Sequence, residues 1–372
     1  MKAQLIKRSI RSTVVMAFGI AAAPACSPCP RPASAKAFRI GTRRFIAAAV
    51  VLFWLTAAPF TAGAEESEPT GTLGFVLEND LFYNMDRHYT NGVRLAWVPD
   101  PDTAAPGWSV KWARFLPWFP DEGEVHYGYA FGQSMFTPRD ITRENPPLRD
   151  RPYAGWLYGT IGLGLESGRR LDQFGLALGV VGPASLAEQS QKIVHKVIGS
   201  DKPRGWDHQL KNEPGIVITY QRSSRERGTI MFSKYRIDFT PHIGGALGNV
   251  FTYGNAGVTL RLGQHLPNDY GPPHIQPGLP GWGDLSPMAD FGWYFFAGVD
   301  GRVVARNIFL DGNTFSDSRS VDKKPLVGDL QFGLVLDWSD VRLSYTHVQR
   351  TREFQTQDSN DDFGSIAVSF KF

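Results

Sequence analysis

The sequence predicts an all-β protein: a twelve-stranded antiparallel transmembrane β-barrel with a short helix in one extracellular loop. Three observations carry this. The chain closes on a strand of strict alternation, with Ile366, Val368, Phe370 and Phe372 on one parity and Ser365, Ala367, Ser369 and Lys371 on the other. Similar segments, rich in glycine, aromatic and β-branched residues, recur from residue 71 onward. A secretory signal precedes them: Arg43-Arg44, the apolar run Ile46 to Thr56, and the small residues Ala62-Gly63-Ala64. One wholly apolar face and one small or polar face suit a wall between lipid and a polar lumen.

Residues 1–64 are expected to be a leader with a cleavable signal peptide, and residues 65–372 the barrel. The leader holds nine of the 39 bases and no acid, so 30 bases face 36 acids over 65–372, a formal charge of −6. The basic balance of the whole chain therefore gives no argument for a nucleic-acid partner. Both cysteines, Cys26 and Cys29, also lie in the leader, so disulfides and thiol catalysis are not expected beyond it. No stretch after residue 64 is long and apolar enough for a transmembrane helix. A closed barrel needs none, because its backbone groups pair between strands.

In chain order the predicted strands are 71–79, 89–98, 126–136, 153–166, 171–181, 213–223, 228–241, 252–263, 290–304, 327–338, 341–349 and 363–372. The first sets Gly74, Val76 and Glu78 on one parity, and the second Val93, Leu95 and Trp97 against Arg94 and Ala96. The tenth sets Leu330, Phe332, Leu334, Leu336 and Trp338 against Asp329, Gln331, Gly333 and Asp337. An even count puts both chain ends on the periplasmic side. Tight periplasmic turns are expected at Ser167–Arg170, Ser224–Gly228 and Ser339-Asp340. The longer connections 99–125 and 264–289 leave room for short helices, and Trp108, Trp112, Phe115, Trp118 and Phe119 would form an interfacial aromatic patch. Of the outward loops only 185–198 reads as a helix. Ser185 and Glu188 would make a capping box, Leu186, Ile193, Val194 and Val197 an apolar stripe, and Gly199 the stop.

Four segments combine polar side chains with glycine, proline or aromatic residues beyond what turns require. Glu78-Asn79-Asp80-Leu81-Phe82 with His88-Tyr89-Thr90-Asn91-Gly92 places Asp80 at the outward tip of strand one, where a carboxylate can hold a hard cation. By parity Glu78 and Asp80 point inward and Asn79 the other way. An Asn-Asp turn is the competing reading. Thr137 to Trp156 carries Arg139, Arg149 and Arg151, each either a phosphate contact or a solvated loop charge. His195 lies on the loop helix, ahead of Gly199-Ser200-Asp201, and a histidine can act as general base near neutral pH. Its neighbours Gln191 and Lys192 argue against a core position. Arg306 to Phe315 contains Asp311-Gly312-Asn313, which lacks the remaining spacing of a calcium loop and reads as a turn. No Gly-x-Ser-x-Gly occurs, which favours an activated water over a serine ester intermediate.

These segments, with Asp150-Arg151-Pro152-Tyr153-Ala154-Gly155-Trp156, Gly205-Trp206-x-x-Gln209 and Arg306-Asn307-x-x-Leu310-Asp311-Gly312-Asn313, resemble the outer-membrane lipid A 3′-O-deacylase family, LpxR, over 70–372. The resemblance implies a twelve-stranded barrel and a calcium-dependent ester hydrolase. Its substrate would be the 3′-linked acyloxyacyl group of lipid A, in the lipopolysaccharide of the outer leaflet. It places the family's Asn-Asp pair on Asn79 and Asp80 and the catalytic histidine on His195. An acidic partner falls on Asp201, where the family carries Glu. Asp80 and Asp201 would then be metal ligands, and Arg139 would bind a phosphate or support the oxyanion. The active site would face the extracellular side of the bacterial outer membrane, in a chain expected to be monomeric. An outer-membrane phospholipase, a porin and a lipopolysaccharide receptor are the competing functions.

Overall fold

The computed structural model describes residues 71–80, 88–100, 103, 105–115, 123–225, 230–267, 269–271 and 288–372. The expected leader, Leu81 to Arg87, Trp118 and Phe119 lie outside these residues. The strands are β1 (Gly71–Asn79), β2 (His88–Pro99), β3 (Glu124–Thr137), β4 (Ala154–Ser167), β5 (Arg170–Val181), β6 (Glu213–Ser224) and β7 (Ile230–Phe232). They continue as β8 (Tyr235–Gly248), β9 (Phe251–Gln264), β10 (Met288–Asn307), β11 (Leu326–Ser339), β12 (Val341–Arg350) and β13 (Asp361–Lys371). Among the described residues three α-helices interrupt them: α1 (Gly107–Phe115), α2 (Ala187–Ile198) and α3 (Ile308–Asp311).

Every pairing is antiparallel between chain neighbours, β13 returns to β1, and β6 joins β8, so the sheet closes. β7 pairs with the same edge of β8 as β6 does, because β9 occupies the other edge. β6 and β7 therefore share one stave, and the barrel is twelve-stranded. The chain end is tied back to the start by Gly71 N to Phe372 O at 3.2 Å and Phe372 N to Gly71 O at 3.0 Å.

Strand faces follow the expected parity. Leu95, Phe131, Ile161, Leu178, Ile243, Phe295 and Phe332 are exposed on the outer wall, as an apolar band facing lipid requires. The opposite parity fills the lumen with paired charge. Asp329 accepts from Arg302 at 2.6 Å and from Arg350 at 2.8 Å, and Arg261 forks onto Asp238 with two bonds of 2.8 Å. Toward the outer end the lumen turns aromatic, with Tyr89, Phe136, Trp156, Tyr158, Phe251, Phe309 and Phe363 in one buried cluster. Phe309 of α3 stacks on Phe136 with centroids 3.9 Å apart.

The strand positions depart from expectation at one place. The seventh strand is expected at 228–241 after a turn at Ser224–Gly228, of which 226–229 lie outside the described residues; the hairpin turns at Ser233-Lys234, with Ser233 at φ 56°, and β8 runs on to Gly248. The expected outward loop 242–251 thus shrinks to Asn249-Val250. The helix also departs. α2 starts at Ala187 from a left-handed Leu186, with no side-chain cap, because Ser185 closes a preceding 3₁₀ turn. No capping box forms, whereas Gly199 ends the helix at φ 69° as expected. In the first long periplasmic connection α1 exposes Trp108 and Trp112, in line with the interfacial patch.

Candidate functional site

Strand register gathers the polar residues of the outer end into one row on the outer wall. Leu95 faces lipid, so Asn91, two steps of two back toward the start of β2, faces the same way. Asn91 lies opposite Asn79 on β1 and Met135 on β3, and Met135 lies opposite Gly155 on β4. On the other side Asn79 faces Gly364, and Gly364 faces His347. A β-bulge at Thr90 separates this row from Tyr89, which turns into the lumen and donates to the inward Glu78. Across β8 and β10 the same wall carries exposed Ile243, Leu247, Val299 and Val303.

α2 lies against this row from the lipid side. Met135, Ile141, Tyr153, Ala187 and Trp206 form a buried cluster, and Met135 belongs to the outward face of β3. Gly155 lets the helix come this close, since a side chain there would run into Ser185 and Ala187. Gln133, also outward, donates to Ser185 O at 2.7 Å, and Trp206 Nε1 donates to Gln191 Oε1 at 2.7 Å. The face pinned to the wall carries Ala187, Gln191 and His195, each 3% exposed or less. The sequence expectation that Gln191 marked a non-core position is thereby corrected: the side chain is buried, and its amide oxygen accepts from Trp206.

His195 is held by Asp201, through the backbone. Its Nδ1 lies 2.6 Å from Asp201 O, so Nδ1–H donates and Nε2 is left as the basic nitrogen. The Asp201 carboxylate itself is exposed. Asp80 follows the last paired residue of β1 and is buried, as is Asn79. Arg139 sits apart on the loop after β3, its backbone N bonded to Asp150 Oδ2 at 2.9 Å and its guanidinium paired with Asp358. Arg151 is wholly buried and paired with Glu353 at 3.3 Å, so it is structural. In the 306–313 segment Asp311 binds Asn307 N and Lys323 Nζ, each at 2.8 Å, and Asn313 bridges to Lys211 and Glu213. Both side chains are committed to folding α3 down, as the turn reading required.

Among the described residues no three His, Cys, Asp or Glu side chains are grouped to share an ion. The row and the residue that follows β1 nevertheless offer oxygen donors of the hard kind, in Asn79, Asn91 and Asp80. That chemistry fits calcium, which takes carboxylate and amide or backbone carbonyl oxygens. Asn91 is the residue that motif reading passed over as a site member. Its parity relative to Val93 and Leu95 was the signal that could have found it.

A family model, outer membrane protein LpxR, matches residues 46–372. The chain belongs to the LpxR family. This makes it an outer-membrane β-barrel and a lipid A 3′-O-deacylase by family. LpxR from Salmonella typhimurium is similar in structure, with a TM-score of 0.64 and 21% identity over 81% of this chain and 100% of that one. The β-domain of the Bordetella autotransporter BrkA reaches a TM-score of 0.40 at 8% identity, covering 82% of this chain and 99% of its own. The KdgM porin reaches 0.33 at 5% identity, with 81% and 99% covered. No curated protein matches in sequence.

Proposed function

We propose that this LpxR protein cleaves the 3′-linked acyloxyacyl ester of lipid A by water attack, with His195 as the base. The observation that carries this is the site's aspect: His195 and the Asn79 row share the outer wall, so the site opens toward the leaflet and not into the lumen. Helix geometry supports their meeting. His195 is eight residues beyond Ala187, about 12 Å along a helix, and α2 crosses from β4 over β3. Three strand spacings, about 14 Å, separate β4 from β1.

His195 Nε2 takes a proton from water, and the resulting hydroxide adds to the ester carbonyl carbon. The tetrahedral species then expels the sugar 3′ oxygen, which takes the proton back from Nε2. The products are the free acyloxyacyl acid and a 3′ hydroxyl. The hydrogen bond from Nδ1–H to Asp201 O fixes the ring and favours the imidazolium that forms between the two transfers. Asp80, with Asn79 and the Asp201 segment, would hold calcium, which when bound polarises the ester carbonyl. Asn79 orients the carbonyl or the water. Arg139 contacts a lipid A phosphate by exchanging Asp358 for it.

The test is deacylation of lipid A by refolded barrels, read by mass spectrometry with calcium or with chelator. His195→Ala and Asp80→Ala should each lose about 10²–10⁴-fold in rate, and chelator should abolish turnover. Folded variants that still release the 3′ acyloxyacyl group at the wild-type rate would refute the assignment. Lysophospholipid as the product would move the protein to the phospholipases.

A further inference from the structure

α2 carries two faces of opposite character, and three of the four residues of the sequence stripe, Leu186, Ile193 and Val197, are on the one turned away from the protein. These side chains are 52%, 64% and 72% exposed. At 100° per residue, His195 lies about 200° around the helix from Ile193 and from Val197, nearly opposite the stripe. Lys192 and Lys196 are exposed beside the stripe, Lys192 paired with Glu188. A helix packed on a water-exposed surface gains nothing from presenting three large apolar groups.

The surface beneath it is not water-exposed. Down the outer face of β3 the sequence Met135, Gln133, Phe131 passes from the helix contact, through the bond to Ser185 O, straight into the lipid-facing band. A second helix marks the other border. α1 packs Ala113 on the outward Leu165 of β4, and exposes Trp108 and Trp112. Gly155 under α2 and Leu165 under α1 are ten residues apart on the same strand. At about 3.3 Å per residue and a tilt near 40°, this is about 25 Å of height, the thickness of the apolar band of such barrels. α1 and α2 thus bracket the band from its two edges.

We propose that α2 is an interfacial helix whose Leu186–Ile193–Val197 stripe is immersed in the acyl chains of the outer leaflet, with Lys192 and Lys196 reaching up to the anionic headgroups. The helix that holds His195 against the wall is then also the element that sets its depth in the membrane. The inference rests on the outer-membrane location and not on the catalytic role of His195.

Single cysteines can test it, because the only native ones are Cys26 and Cys29. In a full chain carrying Cys26→Ser and Cys29→Ser, nitroxide labels would be placed at Ile193→Cys and Val197→Cys. Leu178→Cys on the lipid face and Ser316→Cys on an exposed outer loop serve as references. The barrels would be reconstituted in vesicles of phosphatidylcholine and lipopolysaccharide. Collisions with oxygen, relative to a water-soluble nickel chelate, should exceed those at Ser316 by about tenfold at both helix positions, and approach those at Leu178. Ratios at 193 and 197 equal to that at Ser316 would overturn the proposal, whatever the deacylase activity of the same samples.

Discussion

Gly155 controls how near α2, the helix that carries His195, can come to the wall. Gly155→Val would thrust a side chain against Ser185 and Ala187 without touching any polar residue of the site. The barrel should fold, since position 155 lies at the end of β4 and its backbone pairing to Met135 is kept. Activity should fall by about 10²-fold or more, because a displacement near 1 Å suffices for that loss. Heat-modifiable mobility on gels would confirm folding while lipid A analysis reads the rate. An unchanged rate would mean that α2 tolerates displacement and that its seat is not critical. The outward aspect of Asn79 was legible from strand parity. The partner of His195 was legible only in position, because a backbone carbonyl contact leaves no mark on residue type at Asp201.

At the scale of elements, the outer loops are clamped to each other above the lumen. The 138–153 loop meets the 351–360 loop through Arg151–Glu353, Arg139–Asp358 and Thr356 to Arg149 O. Burial pushes the Glu353 carboxyl up, but Arg151, Arg350 and Arg302 outweigh it and hold the group below its ordinary value of 4.5. A lowered carboxyl stabilises the fold above that ordinary value, and the contribution fades as pH falls through the lowered one. The loops should therefore resist an acid protease down to about pH 4 and be cut progressively faster below it, and Glu353→Gln should flatten this dependence. Equal pH profiles in the two proteins would show that the clamp does not depend on the charge.

The same scale explains where sequence reading failed. Strand parity was recoverable almost everywhere, because lipid and lumen impose opposite chemistry on alternate residues. The β6–β8 region misled because Ser-Ser-Arg-Glu-Arg-Gly over 223–228 has turn composition, while the hairpin itself uses Ser233-Lys234. The orientation of α2 misled for a related reason. In a water-facing protein an apolar stripe points to the core, but here the wall side of the helix takes the polar Gln191 and His195, and the stripe faces outward.

At the scale of the whole molecule, the lumen works as a packed interior. Asp329, Arg302 and Arg350, the Arg261–Asp238 fork, and the Arg342–Asp337 pair at 2.6 Å fill it below the aromatic cluster. Reconstituted in planar bilayers, the barrel should carry no steady open-channel current, in contrast to a porin of equal strand number. Stepwise conductance that persists in purified, folded protein would contradict this packing.

Both α1 and α2 lean on β3 and β4, whereas the arc from β8 to β11 shows bare Ile243, Leu247, Leu260, Phe295 and Val303 to its surroundings. The protein thus has a front and a back within the plane of the membrane. With the site proposed beside α2, a neighbour resting against the back would leave turnover untouched, while one pressed against the front would silence the enzyme without contacting its lumen. In a crowded outer membrane, the heading of each barrel would then set its rate as much as the supply of substrate.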